Sequence, residues 1–328
     1  MKQKYRNLFL IFGIVVLGIM VAQLPFKQVW EGVQHAGYWF VAVVFLWLFL
    51  YLFNTAAWWL IIRSQEGEWP IRKLTFAHLY RLTVSGFALN YATPGGLMGG
   101  EPYRIMALSP ILGTKRATAS VVLYSMTHIF SHFWFWLLSV FLYVTTRPVD
   151  LPMGILLLGI MAFCLLGLWF FMHGYKRGLA VSTMTLLRHV PLLGSKISRF
   201  LENHRKQLDD IDRQIAALHR QQRRTFWEAV GLELLCRVAS ALEIYFILLV
   251  LLPSVNYLDC IMVLAFTSWL ANLLFFMPLQ LGGREGGFML SVTELSMSAG
   301  AAALVALLVR LRELIWVAIG LLLIKIDK

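Results

Sequence analysis

Long apolar runs separated by short polar segments make up most of the chain. Six of these runs reach the length of about 20 residues that a helix needs to cross a bilayer. We therefore expect an all-α polytopic membrane protein with six crossing helices. The first run follows Lys2, Lys4 and Arg6 but precedes no small-residue cleavage site, so we interpret it as a retained helix rather than a signal peptide. The six runs are 7–24, 38–62, 117–146, 151–172, 226–252 and 301–324.

The composition agrees with this assignment. Hydrophobic residues make up 59% of the 328 residues and charged residues 14%, and the mean hydropathy is +0.71. A soluble domain is about half apolar and about a quarter charged. The cysteines form no C-x-x-C pair, so Cys164, Cys236 and Cys260 are expected to be packing residues. We expect no metal and no other cofactor.

The net charge of +12 arises from basic residues that lie between the apolar runs. A nucleic-acid binder would carry them on a soluble face, so we expect no nucleic-acid partner. Because short basic loops stay in the cytoplasm, both termini are predicted to be cytoplasmic, in the cell inner (plasma) membrane. The segment 173–225 is predicted to be a basic cytoplasmic linker. Its part 191–224 has apolar residues at helical spacing and either lies on lipid headgroups or packs on the helix bundle.

Two segments, 74–104 and 260–299, begin and end on the same side of the membrane by this charge count. Both are rich in proline and glycine, which interrupt helices. Backbone freed in this way cannot face lipid, so both segments are predicted to be re-entrant hairpins buried in protein or beside a wet cavity. The residues that break them are Pro94, Gly95, Gly96, Gly99 and Gly100 in the first, and Pro278, Gly282, Gly283, Gly286 and Gly287 in the second.

The two hairpins are predicted to belong to an inverted-topology repeat. Each half would have two helices, a broken hairpin and one further helix, with opposite directions of entry. We divide the chain into 1–172, the linker 173–225 and 226–328, and count the helix at 151–172 as the first of the second repeat.

The pattern N-x-x-x-P-G-G-x-x-G-G-E-x-x-R from Asn90 to Arg104, with P-x-x-x-G-G-R-E-G-G from Pro278 to Gly287, resembles a known family. This is the lysylphosphatidylglycerol synthase transmembrane-region (flippase-like) family, which includes the membrane half of the multiple peptide resistance factor. The resemblance covers nearly the whole chain and implies lipid translocation through a cavity between two re-entrant hairpins. The aminoacyl-transferring members carry a soluble catalytic domain after the membrane part, and because this chain ends at Lys328 we expect no synthase activity.

Ionised side chains inside apolar helices cost about 2.5–3.5 kcal/mol to insert, so each needs a partner or a function. Arginine binds phosphate through a planar fork of donors. Arg104 and Arg284 are therefore the leading candidates for headgroup ligands, with Glu101 and Glu285 neutralising them in the empty site. A static Arg/Glu pair that holds the hairpins together is the alternative. The predicted headgroup site is Arg104, Arg284, Glu101, Glu285, Arg310, Asn90 and Arg81.

Further polar residues form pairs at helical spacing. We expect Glu233 and Arg237 to form an ion pair within one helix, whereas Arg310 either pairs with Glu313 on one face of its helix or faces the cavity. The histidine pair has a spacing that zinc sites use, but no third ligand is nearby, which favours packing or interhelical hydrogen bonding. The pairs are Arg310 with Glu313, Glu233 with Arg237, and His128 with His132.

These features predict a flippase or scramblase for a phospholipid or a related anionic lipid. The alternatives are an intramembrane enzyme acting on a lipid-linked phosphate, with Glu101 or Glu285 as general base, and a secondary transporter of a small solute or ion. The sequence has no G-x-x-x-x-G-K-[ST] motif, so transport would be downhill or driven by an ion or proton gradient. A homodimer and a separate lipid-modifying enzyme stay open as partners.

Overall fold

The computed structural model describes residues 3–22, 25–65, 74–92, 99–177, 223–252, 254–273, 283–294 and 299–326. These residues form α-helices and no strand, which confirms the all-α prediction for them. The helices are α1 (Gln3–Ala22), α2 (Phe26–Ala36), α3 (Tyr38–Arg63), α4 (Phe76–Ala92), α5 (Gly100–Leu112), α6 (Thr114–Thr146), α7 (Leu151–Arg177), α8 (Arg223–Leu248), α9 (Tyr257–Leu273), α10 (Gly283–Glu294) and α11 (Ala299–Ile326).

Three helices of the described chain are long and apolar enough to cross a membrane: α3, α6 and the part Leu151–Met172 of α7. Helices α1 and α2, which meet at 86°, make a fourth crossing if they are counted as one span. The chain is therefore a multi-pass membrane protein. Helices α8 and α11 have 26 and 28 residues and reach about 39 and 42 Å. Both have the required length, but each carries several charged residues along its apolar stretch, and neither is counted among these three.

Helix α2 corrects the predicted course of the chain. The apolar pattern predicts no helix between 7–24 and 38–62, yet α2 occupies this interval. Gly37 has a φ of +52° and joins α2 to α3 in a conformation that favours glycine. Gly32 lets α2 approach α11, since a Cβ at this position would lie 3.3 Å from Leu307 Cδ2.

Helices α4 and α5 form a hairpin. The start of α4 and the end of α5 lie at the same end of the bundle. Phe76 begins α4 and packs on Trp59 near the end of α3, with ring centroids 5.8 Å apart. Gln65, just after α3, donates to the carbonyl of Arg116 at 3.2 Å, next to the point where α5 passes into α6. Tyr91, near the other end of α4, contacts the middle of α11. Helices of 17 and 13 residues span about 26 and 20 Å, too short for a crossing.

Helices α9 and α10 form a second hairpin at the opposite end. Asp259 in the first turn of α9 binds Arg147 at 2.8 Å, and Arg147 directly follows the far end of α6. Helix α10 packs back on α9 at Gly287, where a Cβ would lie 3.1 Å from Thr267 Cα. Helix α11 then starts beside α2, at the same end as the start of α3.

Small residues bring α4 against α11. A Cβ on Gly320 would lie 2.5 Å from Ala88 Cβ and 2.9 Å from the carbonyl oxygen of Val84. Ser85 Oγ donates to the carbonyl oxygen of Gly320 at 3.0 Å. Such close backbone approach is typical of helix pairs in membranes. It fixes the first hairpin against the last helix.

Several predicted features lie partly or wholly outside the described residues. Helix α7 runs to Arg177, past the predicted boundary at 172, and α8 starts at Arg223. Most of the linker 173–225, with nearly all of its amphipathic part, is not described, and neither are Pro94, Gly95, Gly96, Pro278 and Gly282. The cysteines Cys164, Cys236 and Cys260 are buried free thiols, in agreement with a packing role.

The α4–α11 contact predicts a local sensitivity to added volume. Gly320→Ala places a methyl group against Ala88 and should cost about 1–3 kcal/mol through overpacking. Gly159→Ala is the matched control, because nothing lies within 4 Å of a Cβ there and alanine is the better helix former. Thermal unfolding in detergent should show a lower midpoint for Gly320→Ala and an unchanged or higher one for Gly159→Ala. Equal shifts would contradict the close contact.

Candidate functional site

A polar cluster lies at the tip of the first hairpin, where α5 begins. The backbone N–H of Gly100 donates to Asn90 Oδ1 at 2.7 Å, so the last turn of α4 satisfies an N-terminal N–H of α5. Asn90 Nδ2 donates to Glu101 Oε1 at 3.0 Å, and Ser125 Oγ on α6 reaches the same oxygen at 3.4 Å. We call Asn90, Glu101, Arg104 and Ser125 the Glu101 cluster.

Two glycines allow α4 and α5 to approach closely enough to form this cluster. A Cβ on Gly86 would lie 2.2 Å from Arg104 Nε, and a Cβ on Gly100 would lie 2.2 Å from the carbonyl oxygen of Gly86. A side chain at position 100 would collide with backbone, and one at position 86 would displace the Arg104 guanidinium. The structure also corrects the extent of both predicted breaks, because Gly100 of the first and Gly283, Gly286 and Gly287 of the second are helical.

Arg104 is enclosed by protein, with only 1% of its surface exposed. Its Nη1 lies 3.4 Å from Glu101 Oε1, and its Nη2 donates to the carbonyl oxygen of Thr83 at 3.1 Å. Three aromatic rings also surround the Arg104 guanidinium, and contacts between a cation and ring faces stabilise a desolvated guanidinium. Arg104 therefore lies behind Glu101 and does not face an open cavity. The guanidinium lies 4.9, 5.3 and 5.5 Å from the ring centroids of Phe87, Tyr124 and Trp58.

The Glu101 cluster retains unused hydrogen-bonding capacity. Glu101 Oε2 and Arg104 Nε are buried and have no hydrogen-bond partner among the described residues. The Glu101 side chain is 16% exposed overall. A buried polar atom without a partner costs about 1–3 kcal/mol. Of these two atoms, only Glu101 Oε2 belongs to a partly exposed side chain, so Glu101 is where a polar ligand at the hairpin tip would gain a contact.

A second cluster ties α11 to α8 and α3. Arg312 binds Glu243 through Nε and Nη2 at 2.7 and 2.8 Å, in the two-pronged geometry that arginine favours. Trp47 Nε1 donates to Glu243 Oε2 at 3.0 Å, and the Arg312 guanidinium lies 3.9 Å from the Trp47 ring centroid. Arg312 Nη2 also lies 3.8 Å from Glu313 Oε1. These contacts satisfy the pair, which suits a structural role.

Tyr91 joins the hairpin tip to α11. Its hydroxyl donates to Glu313 Oε2 in a short hydrogen bond and accepts one from Arg310 Nη1 at 2.8 Å. The predicted pair Arg310 and Glu313 therefore meets on a residue of α4. Sequence reasoning missed Tyr91, and its position next to Asn90 at the break was the only available signal.

The third cluster lies between α6, α8 and α3. His128 Nδ1 lies 2.7 Å from Glu233 Oε2, and Asn54 Nδ2 donates to Glu233 Oε1 at 3.0 Å. Arg237 instead donates to Ser131 Oγ at 2.7 Å and to the carbonyl oxygen of His128 at 2.8 Å. The predicted ion pair of Glu233 with Arg237 within one helix is therefore wrong. The expectation of an interhelical hydrogen bond is confirmed for His128.

Aromatic rings lie between the clusters. The positive and negative side chains of the clusters are equal in number. Phe87 and Tyr124 lie beside Arg104 and also beside His128, with ring centroids 5.6 and 6.3 Å from the imidazole. The described members of these clusters thus carry equal numbers of positive and negative charges rather than an excess of positive charge. The four cations are Arg104, Arg237, Arg310 and Arg312, and the four anions are Glu101, Glu233, Glu243 and Glu313.

The other predicted site residues lie apart from these clusters or outside the described side chains. Arg81 is half-buried on α4 and makes no ion pair with the described residues. Arg284 and Glu285 lie in the first turn of α10, and their side chains are outside the described residues. No group of three or more possible metal ligands occurs in the described part of the chain.

Helices long and apolar enough to cross a membrane, together with charged clusters between the helices, define a polytopic membrane protein. The family model for the lysylphosphatidylglycerol synthase TM region matches residues 8–320, and the chain belongs to this family. No curated protein and no solved structure matches the chain. The family links this protein to lipid handling.

The Glu101–Arg104 contact predicts strong coupling between the two residues. Arg104→Met leaves a largely buried carboxylate without its cation and should destabilise the protein by about 3 kcal/mol or more. The double variant with Glu101→Gln removes both charges and should be more stable than the sum of the single effects predicts. Thermal unfolding of the three variants in detergent measures this coupling. Additive effects would show that the two charges act independently.

Proposed function

We propose that this protein moves a phospholipid or a related anionic lipid between the two leaflets of the cell inner membrane. The observation that carries this proposal is the Glu101 cluster. It places an arginine, a carboxylate and two unsatisfied polar atoms at the tip of a helical hairpin inside an apolar bundle. Ionisable groups at this depth mark substrate pathways in membrane proteins. The family's association with lipids makes a lipid headgroup the substrate that fits best.

The geometry supports different roles for the predicted headgroup residues. Glu101 is partly exposed and Arg310 is half-buried, so both are placed to meet a headgroup. Arg104 is enclosed, and in this proposal it positions Glu101 and sets the local charge. Asn90 orders the tip by holding both Gly100 and Glu101. Arg284 is the proposed phosphate ligand of the second hairpin, because it follows the break at the start of α10.

The packing of the helices supports an inverted repeat of six crossings and two re-entrant hairpins. In this scheme α1 corresponds to α7, α3 to α8, the hairpin α4–α5 to α9–α10, and α6 to α11. Helix α5 packs on α6 as α10 packs on α11, and α4 packs on α11 as α9 packs on α6. Likewise α3 contacts α6 as α8 contacts α11, and α1 contacts α11 as α7 contacts α6. Such repeats place their broken elements around a central substrate site.

We call Glu101, Arg310 and Arg284 the proposed headgroup path, and replacement of any of them should slow lipid movement. Arg310→Gln and Arg284→Gln should each reduce translocation of acyl-labelled fluorescent phosphatidylglycerol in proteoliposomes by at least about tenfold, since each loses a charged contact with the phosphate. Glu101→Gln should reduce it by a similar factor, since it removes the carboxylate that accepts hydrogen bonds from the headgroup hydroxyls. Arg147→Gln is the control, because Arg147 forms its ion pair at the far end of α6 and should retain the wild-type rate. Dithionite quenching of the outer leaflet measures the movement.

Three other outcomes of this experiment would contradict the proposed path or the proposed function. Wild-type rates in all three variants would remove the proposed path. A wild-type protein that alters the labelled lipid chemically would support the intramembrane enzyme instead. A wild-type protein that neither moves nor alters lipid would exclude lipid translocation and leave the transport of a small solute or ion.

Opposite entry of the two hairpins predicts opposite labelling from the aqueous phases. Thr114 is exposed where the first hairpin passes into α6, and Ser254 is exposed just before the second hairpin. Because the native cysteines are buried, an impermeant maleimide should react mainly with an introduced cysteine. We expect Ser254→Cys to be labelled in intact cells and Thr114→Cys only after permeabilisation. Labelling of both from the same side would contradict the inverted arrangement.

A further inference from the structure

We propose that His128 and Glu233 form a proton-binding site that couples lipid movement to a transmembrane proton gradient. This inference rests on the function proposed above and adds its energy source. It concerns a cluster that lies next to the proposed headgroup path but is not part of it.

The geometry gives the pair an acid–base character that the other buried pairs lack. His128 Nδ1 lies 2.7 Å from Glu233 Oε2, so the Nδ1–H donates to the carboxylate and Nε2 is left as the proton acceptor. The His128 imidazole makes no further hydrogen bond to the described residues, and the side chain is 24% exposed, whereas Glu233 is fully buried. In this proposal a proton binds at Nε2 while the bond from Nδ1 to Glu233 persists.

The surroundings hold Glu233 in place while the histidine changes its charge. Asn54 of α3 occupies the other carboxylate oxygen, so Glu233 keeps a partner in either state. Histidine changes charge near neutral pH, whereas the arginine that pairs with Glu243 stays charged. The titratable and charged groups that face the pair are Arg104 of α5, Tyr124 and His132 of α6, and Cys236 and Arg237 of α8; α4 contributes the apolar ring of Phe87.

The pair lies close enough to the Glu101 cluster for one charge to affect the other. The rings of Phe87 and Tyr124 each contact both Arg104 and His128. A proton on His128 adds a positive charge on the far side of these rings and repels Arg104 in surroundings of low dielectric constant. Repulsion changes how firmly Arg104 holds Glu101. Proton binding and headgroup binding are thus linked, and by thermodynamic linkage each affects the other equally.

The test is the steady-state distribution of acyl-labelled fluorescent phosphatidylglycerol in proteoliposomes with a gradient of one pH unit. Valinomycin with equal potassium on both sides holds the membrane potential at zero. One proton per lipid allows up to roughly tenfold asymmetry between the leaflets. We expect wild type to approach this asymmetry. His128→Asn retains an N–H near the Nδ1 position but cannot titrate, so it should move lipid to an even distribution, as should Glu233→Gln.

The control variant is His35→Asn, which removes an exposed histidine on α2 and should keep the wild-type asymmetry. An even wild-type distribution despite the gradient, with lipid movement intact, would overturn the coupling and retain the proposed function. Asymmetry that persists in His128→Asn would also overturn it. A wild-type protein that moves no lipid would exclude the proposed function, and the coupling with it. The wild-type and His128→Asn distributions together decide the question even if Glu233→Gln fails to fold.

Discussion

Charge buried in an apolar bundle needs a partner, and this constraint determines how the helices of this protein are arranged. Glu233 and Arg312 are almost fully buried, and each takes its partner from another helix. Loss of one partner would leave a charge at a cost of several kcal/mol. Inside a membrane, an apolar side chain packs about as well on lipid as on another helix. Polar contacts therefore determine the relative positions of helices that apolar side chains do not determine. The α3–α8 pair at the centre of the bundle is held at both Asn54 and Trp47 in this way.

The same constraint applies to backbone at the hairpin tip. In the proposed re-entrant arrangement α5 begins inside the membrane, where lipid cannot bind its first N–H groups. The tip of the first hairpin meets this need with Asn90, which accepts from the Gly100 N–H. Asn90 reaches this donor because Gly86 and Gly100 lack side chains, so the two helix axes approach closely. The hydrogen bond to the Gly100 N–H, the two glycines and the position of Glu101 therefore depend on one another. A change in any of them would displace the proposed headgroup contact at Glu101.

The helices follow from the sequence more readily than their contacts do. The run 38–62 corresponds to Tyr38–Arg63 because continuous apolarity is a local property of the chain. Helix α2 was missed, since it has only 11 residues and carries Lys27 and Glu31. The pairing of Glu233 with Arg237 failed for a different reason: their spacing within one helix is favourable, but His128 and Asn54 approach from two other helices. Which buried charges meet depends on tertiary packing, and spacing along one helix does not reveal it.

The two halves of the proposed repeat are more alike in their helix packing than in the positions of their charged residues. This difference matters for the proposed mechanism. When Gly99-Gly100 is matched with Gly282-Gly283, the position of Arg104 corresponds to Gly287. Arg104 fills the space between α4, α5 and α6, whereas Gly287 lets α10 lie directly on Thr267. An alternating mechanism with symmetric backbones but unequal charges has two conformations of different energy. The enclosed arginine would then favour one of them in the empty protein, and a headgroup or a proton that alters its pairing with Glu101 would shift that preference.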